Sequence, residues 1–283
     1  MERRVVRRIQ SNFPSGDGSL RLFRRGWLPA EPRRALVLVH GLAEHSGRYD
    51  HVGAWFSARD CAVHAYDHRG HGRSPGARGH VAAFGELLDD LEEFLALVRR
   101  EHPDLPVVLV GHSMGGLVVG ALLCERKPDV LGAVTSGAPL ELPAGVSGAR
   151  LRLVRALRRI APRLRVAGGV DPATLSRDPE VVRAYADDPF VYRRITVSLA
   201  SELMAAVVRT AGGALQVQVP MLLLHGEADR LCPARGSRSF HGQLRGGGHR
   251  LRVYPQLRHE IFNEPEQEQV FEDVLAWLLE RAS

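Results

Sequence analysis

Residues 107–124 read VVLVGHSMGGLVVGALLC, and this stretch decides the fold. Val107–Val110 is a short β-branched run that follows Pro106, the pattern of a buried strand. Gly111-His112-Ser113-Met114-Gly115 comes next, and the apolar run from Gly116 to Cys124 has helix length. Strand, sharp turn and helix around Gly-x-Ser-x-Gly is the context a nucleophile elbow requires. The small neighbours Gly111 and Gly115 let the backbone turn tightly and push the Ser113 hydroxyl out of the sheet. A phosphate-binding loop fits less well, because the run lacks the Gly-Lys-Ser/Thr ending. The same glycines and His112 interrupt the apolar stretch, which argues against a membrane span.

Outward from this centre, ALVLVHG (35–41), CAVHAYD (61–67), LGAVTSG (131–137), MLLLHGEAD (221–229) and RLRVYPQ (250–256) also read as strands. Between them lie amphipathic helices. Phe84, Leu87, Leu88, Leu91, Phe94, Leu95 and Val98 recur at three-to-four spacing. Val270, Phe271, Val274, Leu275 and Leu278 do so near the C-terminus, with Asn263 as candidate N-cap and Pro265 just inside the helix. Alternating strands and helices predict an α/β fold with a mostly parallel sheet flanked by helices. VVRRIQSNF (5–13) and SLRLFRRGW (19–27) predict an antiparallel hairpin at one edge. The alternation stops between Pro139 and Gln218, where helical patterns and breakers dominate. This segment is expected to be an inserted helical cap (139–218) on a core of residues 1–138 and 219–283, although a run of crossover helices is the plainer alternative.

A serine nucleophile needs a base, and the base needs an orienting acid. In this architecture the order is Ser, acid, His, each just past a strand end. Asp229 follows MLLL and His259 follows LRV, so Ser113, Asp229 and His259 are the candidate triad; Glu227 is the rival acid. The expected oxyanion donors are the backbone N–H groups of Met114 and Leu42, the latter in the loop after ALVLV.

At this point the motifs identify a family. HGLAEHSGRY (40–49), DHRGHGRSPGARG (67–79), GHSMGG (111–116), LLLHGEADRLCP (222–233) and YPQLRHEIFNE (254–264) resemble the monoacylglycerol lipase/lysophospholipase group, the serine-aminopeptidase-like branch of the α/β-hydrolases. The resemblance runs from about residue 10 to 280 and is weakest in the cap. It implies a serine ester hydrolase of lipid monoesters, monoacylglycerols first, with lysophospholipids or simple carboxylic esters as alternatives. It also implies a polar pocket bordered by Glu44, Arg48, His112 and Tyr185, and no cofactor or metal. Without the resemblance, Glu44 and Arg48 read as a solvated ion pair. Leu42 is bulkier than the small residue the family places there. Acyltransferase, peptidase and cofactor-free haloperoxidase readings share the triad. A ligand-binding protein on an inactive hydrolase scaffold is the reading from a different class.

Several residues carry two readings. Cys232, three residues after Asp229, is a reactive thiol or, more commonly, a packing residue. His68 and His71 suggest a metal pair, but in DHRGHG they read better as loop-structuring groups. Three cysteines without metal spacing, and an N-terminus lacking an apolar leader, predict a reducing, cytoplasmic location.

The 283 residues are 45% hydrophobic and 25% charged, an ordinary globular composition with a net charge of +6. Lys127 is the single lysine among 38 basic residues. A basic balance admits a nucleic-acid or anionic-membrane partner. The location of the charge decides between them. ARLRLVRALRRIAPRLRV (149–166) holds seven arginines and no acid, so against a total of +6 the remainder carries −1. Leu153, Val154, Leu157, Ile160, Ala161 and Leu164 share one face of this segment, with Pro162 ending or kinking it. Such a helix reads as a peripheral membrane contact or as a cap helix packing over the site. With no recognised binding motif, nucleic acid is the weaker partner.

Overall fold

The computed structural model describes residues 6–143, 145–168 and 170–281. In chain order the strands are β1 (Arg7–Pro14), β2 (Arg21–Leu28), β3 (Arg34–Val39), β4 (Cys61–Tyr66), β5 (Val107–His112), β6 (Gly132–Ser136), β7 (Arg165–Ala167), β8 (Arg194–Thr196), β9 (Met221–Gly226) and β10 (Arg250–Tyr254). The helices are α1 (Asp50–Ser57), α2 (Gly85–Glu101), α3 (Met114–Glu125), α4 (Gly148–Ile160), α5 (Pro179–Asp187), α6 (Val197–Gly212), α7 (Ala234–Gln243) and α8 (Gln267–Leu279).

Eight strands form one sheet in the order β1-β2-β4-β3-β5-β6-β9-β10. From β4 to β10 every neighbouring pair is parallel, and the β1–β2 hairpin adds antiparallel to β4 at one edge. The predicted α/β architecture is thus present. The first residue of the predicted hairpin, Val5, lies outside the described residues. The two-residue period of the strands divides the core. Ala35, Val37 and Val39 of β3 face α2 and α3, while Leu36 and Leu38 face α1 and α8. All but the last residue of α3 are buried, which explains why its sequence is apolar on every side.

Two expectations are corrected. The segment 139–218 contains a short antiparallel ribbon, β7 with β8; strands of three residues are too brief to leave a periodic signal. The C-terminal helix begins at Gln267 with Glu266 before it and no side-chain cap. Asn263 instead ends a 3-10 turn, and its Nδ2 donates to Glu260 Oε2 at 2.8 Å.

Between β6 and β9 the chain leaves the sheet and forms α4 to α6. α6 is part of the main core through Leu199, Ala206 and Val207. α4 lies farther out. It starts at a Ser147 cap that accepts from Arg150 N, ends before Pro162 as expected, and buries no residue fully. Its apolar residues split. Leu151 and Val154 meet Ser201, Met204 and Ala205 of α6, while Leu153, Ile160 and Leu164 are 67%, 83% and 49% exposed. Leu151, outside the predicted face, joins Val154 against α6; of that face Leu157 and Ala161 are half-buried and Leu153, Ile160 and Leu164 stay in solvent.

Candidate active site

β5 delivers Ser113 to the C-terminal edge of the sheet. Its backbone has φ 50° and ψ −119°, a left-handed strain that a non-glycine residue accepts only where the surroundings impose it. The surroundings are the two glycines. A Cβ on Gly115 would collide with the Val39 carbonyl, and one on Gly111 with the Gly115 carbonyl.

His259 and Asp229 arrive from the loops after β10 and β9. His259 Nδ1 lies 2.7 Å from Asp229 Oδ2, both side chains buried. Asp229 Oδ1 accepts from the N–H groups of Leu231 and Cys232 at 2.8 and 3.0 Å. Burial opposes the Asp229 charge, but hydrogen bonds from His225 and His259 outweigh it and hold the carboxyl below its usual range. Burial also lowers His259, yet Asp229, Glu260 and Glu44 together raise it above its usual value. Glu227, the rival acid, faces outward and pairs with Arg238. Ser113 and His259 line one cavity of about 260 Å³. Among the described residues Ser113 Oγ makes no hydrogen bond, as in many unliganded sites where this contact tightens only with substrate.

Leu42 and Met114 line the same cavity. The Met114 N–H is the first of α3 and has no intrahelical acceptor. The Leu42 N–H donates to no other described residue. The positive end of α3 points toward this place.

The polar end of the cavity is built from Glu44, Glu260, His112 and Tyr185. Arg48 stands behind this wall, with Nη1 at 2.7 Å from Glu44 Oε2 and 2.6 Å from Glu260 Oε1, and its guanidinium over the Tyr185 ring at 4.7 Å. Tyr49 OH and Gly41 N both donate to Glu44 Oε1. The Glu44–Arg48 pair is therefore buried, not solvated. Burial pushes Glu44 up, while Glu260, gripped bidentately by Arg48, is held down at about 2 against its own burial. Burial, then the neighbouring His259, push His112 down to about 3, so its imidazole is neutral.

Arg48→Met is expected to cost about 3–5 kcal/mol, because two buried carboxylates lose their shared cation. Thermal denaturation should show a melting temperature lower by roughly 10 °C. An unchanged melting temperature would mean the carboxylates find protons or water at no cost.

Three contributors to this site lay outside the sequence reading. Glu260 follows His259 directly, and an acid beside the candidate base was the available signal. Tyr49 ends the HSGRY run. His225, at the end of the strand before Asp229, has its Nε2 at 2.6 Å from Cys232 O and 3.2 Å from Asp229 Oδ2, and its Nδ1 at 2.8 Å from Ser237 Oγ. It is a second imidazole on the same carboxylate.

Cys232 lines the cavity, but burial and the Asp229 charge push its thiol well above the usual range, so it is protonated near neutrality. His68 and His71 are buried loop-structuring groups. The His68 N–H donates to His40 Nε2, and His71 is hydrogen-bonded to Tyr192 OH and the Arg69 carbonyl.

Residues 30–266 match the serine aminopeptidase S33 hydrolase family. The chain belongs to this family. A monoacylglycerol lipase of Mycolicibacterium smegmatis is 38% identical over 267 residues, 94% of this chain and 95% of the relative. A phospholipase of Bacillus subtilis is 31% identical over 256 residues, 89% of this chain and 97% of the relative. The crystal structure of Paleococcus ferrophilus monoacylglycerol lipase superposes with a TM-score of 0.83 at 33% identity, covering 92% of this chain and 99% of that one. Within S33 the chain is thus a serine hydrolase of the monoacylglycerol lipase-like group, a lipase or esterase. No described helix is long and apolar enough to cross a membrane.

Proposed function

We propose that the protein hydrolyses monoacylglycerols to glycerol and fatty acid, with residues 139–218 as a lid over the core. The observation that carries this reading is the two-ended cavity at Ser113. One end is apolar, with Leu117, Leu142, Leu175, Leu203, Met204 and Val207 suited to an acyl chain. The other is small, buried and polar. There Arg48 is taken up by Glu44 and Glu260, and no arginine or lysine among the described residues lines the cavity itself, so the head-group end favours a neutral polyol over the phosphate of a lysophospholipid.

In this reading His259 takes the Ser113 proton as the hydroxyl attacks the ester carbonyl. The N–H groups of Leu42 and Met114 stabilise the oxyanion, and His259 then protonates the departing glycerol. Water, activated by the same imidazole, releases the fatty acid. The steps need no cofactor.

A chain-length series tests the substrate. Monoacylglycerols should be cleaved faster than lysophosphatidylcholines of equal chain length. Ala200→Phe, which narrows the apolar end, should cut kcat/KM on long chains by roughly 10-fold or more while sparing short ones. Faster cleavage of the lysophospholipids at every length would replace the proposal with the phospholipase reading.

The pH profile tests the base. His259 acts neutral, and its charged form is favoured by Asp229, Glu260 and Glu44 beyond the cost of burial. kcat/KM is therefore expected to fall as pH drops through a value above 6.5. Glu260→Gln removes one favouring charge and should move that limb to lower pH by about half a unit to one unit. A limb that stays put, or moves to higher pH, contradicts this assignment of the base.

A further inference from the structure

A second cavity, of about 610 Å³, lies between α4, α6 and the loop at His80 and Ala82. Arg155 and Arg159 of α4, one turn apart, and Arg163 just beyond the helix line it. None of the three has an acidic partner among the described residues. Arg158 differs from them. It pairs with Glu202 at 2.7 Å and donates to the Ala82 carbonyl and to Ser198 Oγ, which makes it a fixed, neutralised part of the wall. The Ser201 hydroxyl also lines the cleft and makes no hydrogen bond among the described residues. Arg163 is near enough to His80 to add to burial in lowering its pKa. Three unneutralised guanidiniums and a free hydroxyl around one polar cleft present matched donors for the oxygens of a phosphate.

Two observations select the source of that phosphate. Ile160 and Leu164 adjoin Arg159 and Arg163 in the chain and are 83% and 49% exposed, as groups that enter a lipid layer are. α6 also carries the cleft on one face and the acyl end of the Ser113 cavity on another: Ser198, Ser201, Glu202 and Ala205 against Ala200, Leu203, Met204 and Val207. We propose that the cleft holds the head-group phosphate of an anionic phospholipid and so seats the lid on a membrane surface. The proposal uses the lipid-ester reading only for its purpose, and its test does not involve turnover.

The test is vesicle sedimentation with protein carrying Ser113→Ala, on equimolar phosphatidylglycerol and phosphatidylcholine. Changing Arg155, Arg159 and Arg163 to Gln together should weaken binding on the order of 100-fold. A charge-matched control changes Arg150, Arg152 and Arg165, which lie outside the cleft, to Gln, and should lose less than about 10-fold. Equal losses would mean diffuse charge and no cleft site. Equal binding of the unchanged arginine set to pure phosphatidylcholine would overturn the proposal. So would inorganic phosphate or single-stranded DNA bound more tightly than the mixed vesicles. Arg159→Gln alone, expected to lose roughly fivefold, keeps the test informative if a triple variant misfolds.

Discussion

Replacing Ser113 by alanine is expected to lower turnover of any ester substrate by about 10⁵–10⁶-fold and to abolish labelling by a fluorophosphonate. Both follow from the loss of one oxygen atom. Alanine keeps the Cβ, so the turn between β5 and α3 still has a side chain at φ 50°, and the packing of Gly111 and Gly115 against neighbouring carbonyls is untouched. The melting temperature should therefore change little. The N–H groups of Leu42 and Met114 remain, and in the proposed mechanism they supply the residual rate over water. If wild-type protein labels no better than the Ser113→Ala variant, the nucleophile is elsewhere and the proposed mechanism fails.

Asp229→Asn should lower kcat by on the order of 10⁴-fold with little change of fold. The orientation of the new amide follows from its surroundings. Two backbone N–H groups, from Leu231 and Cys232, point at Oδ1, so the amide oxygen belongs there and the NH₂ group must face His259. His259 Nδ1 then accepts a hydrogen bond instead of donating one. The ring proton moves to Nε2, which is the atom that must receive the proton of Ser113. The imidazole is thus held in the wrong tautomer and also loses its stabilising charge. Steady-state kinetics at saturating substrate measure the loss. A near-normal rate would transfer the acid's role to Glu227, despite its position on Arg238.

Much of this protein was legible in its sequence, because the deciding signals are local. A strand, a sharp turn and a helix need only the spacing of Val107–Val110, Gly111, Ser113, Gly115 and the apolar run after them. Asp229 and His259 stand out because each falls just past a strand, and strand ends are set by neighbouring residues. The fold class, the succession of strands and helices along the chain and the triad candidates all come from patterns a few residues long.

What the tertiary structure decided depends on contacts between distant segments. Arg48 and Glu260 are 212 positions apart, and no local pattern pairs them. Their bond holds Arg48 behind the pocket wall, where it grips Glu260 with both Nη atoms. His225 and His259 converge on Asp229 because β9 and β10 are parallel neighbours. Six apolar residues of 149–166 were visible as one face, but only the packing on α6 determines that Val154, with Leu151 from outside that face, turns inward while Ile160 and Leu164 remain in water. Sequence spacing specifies which side chains share a face. Burial of that face depends on the shape and charge of what lies opposite, and that is settled only when the chain has folded.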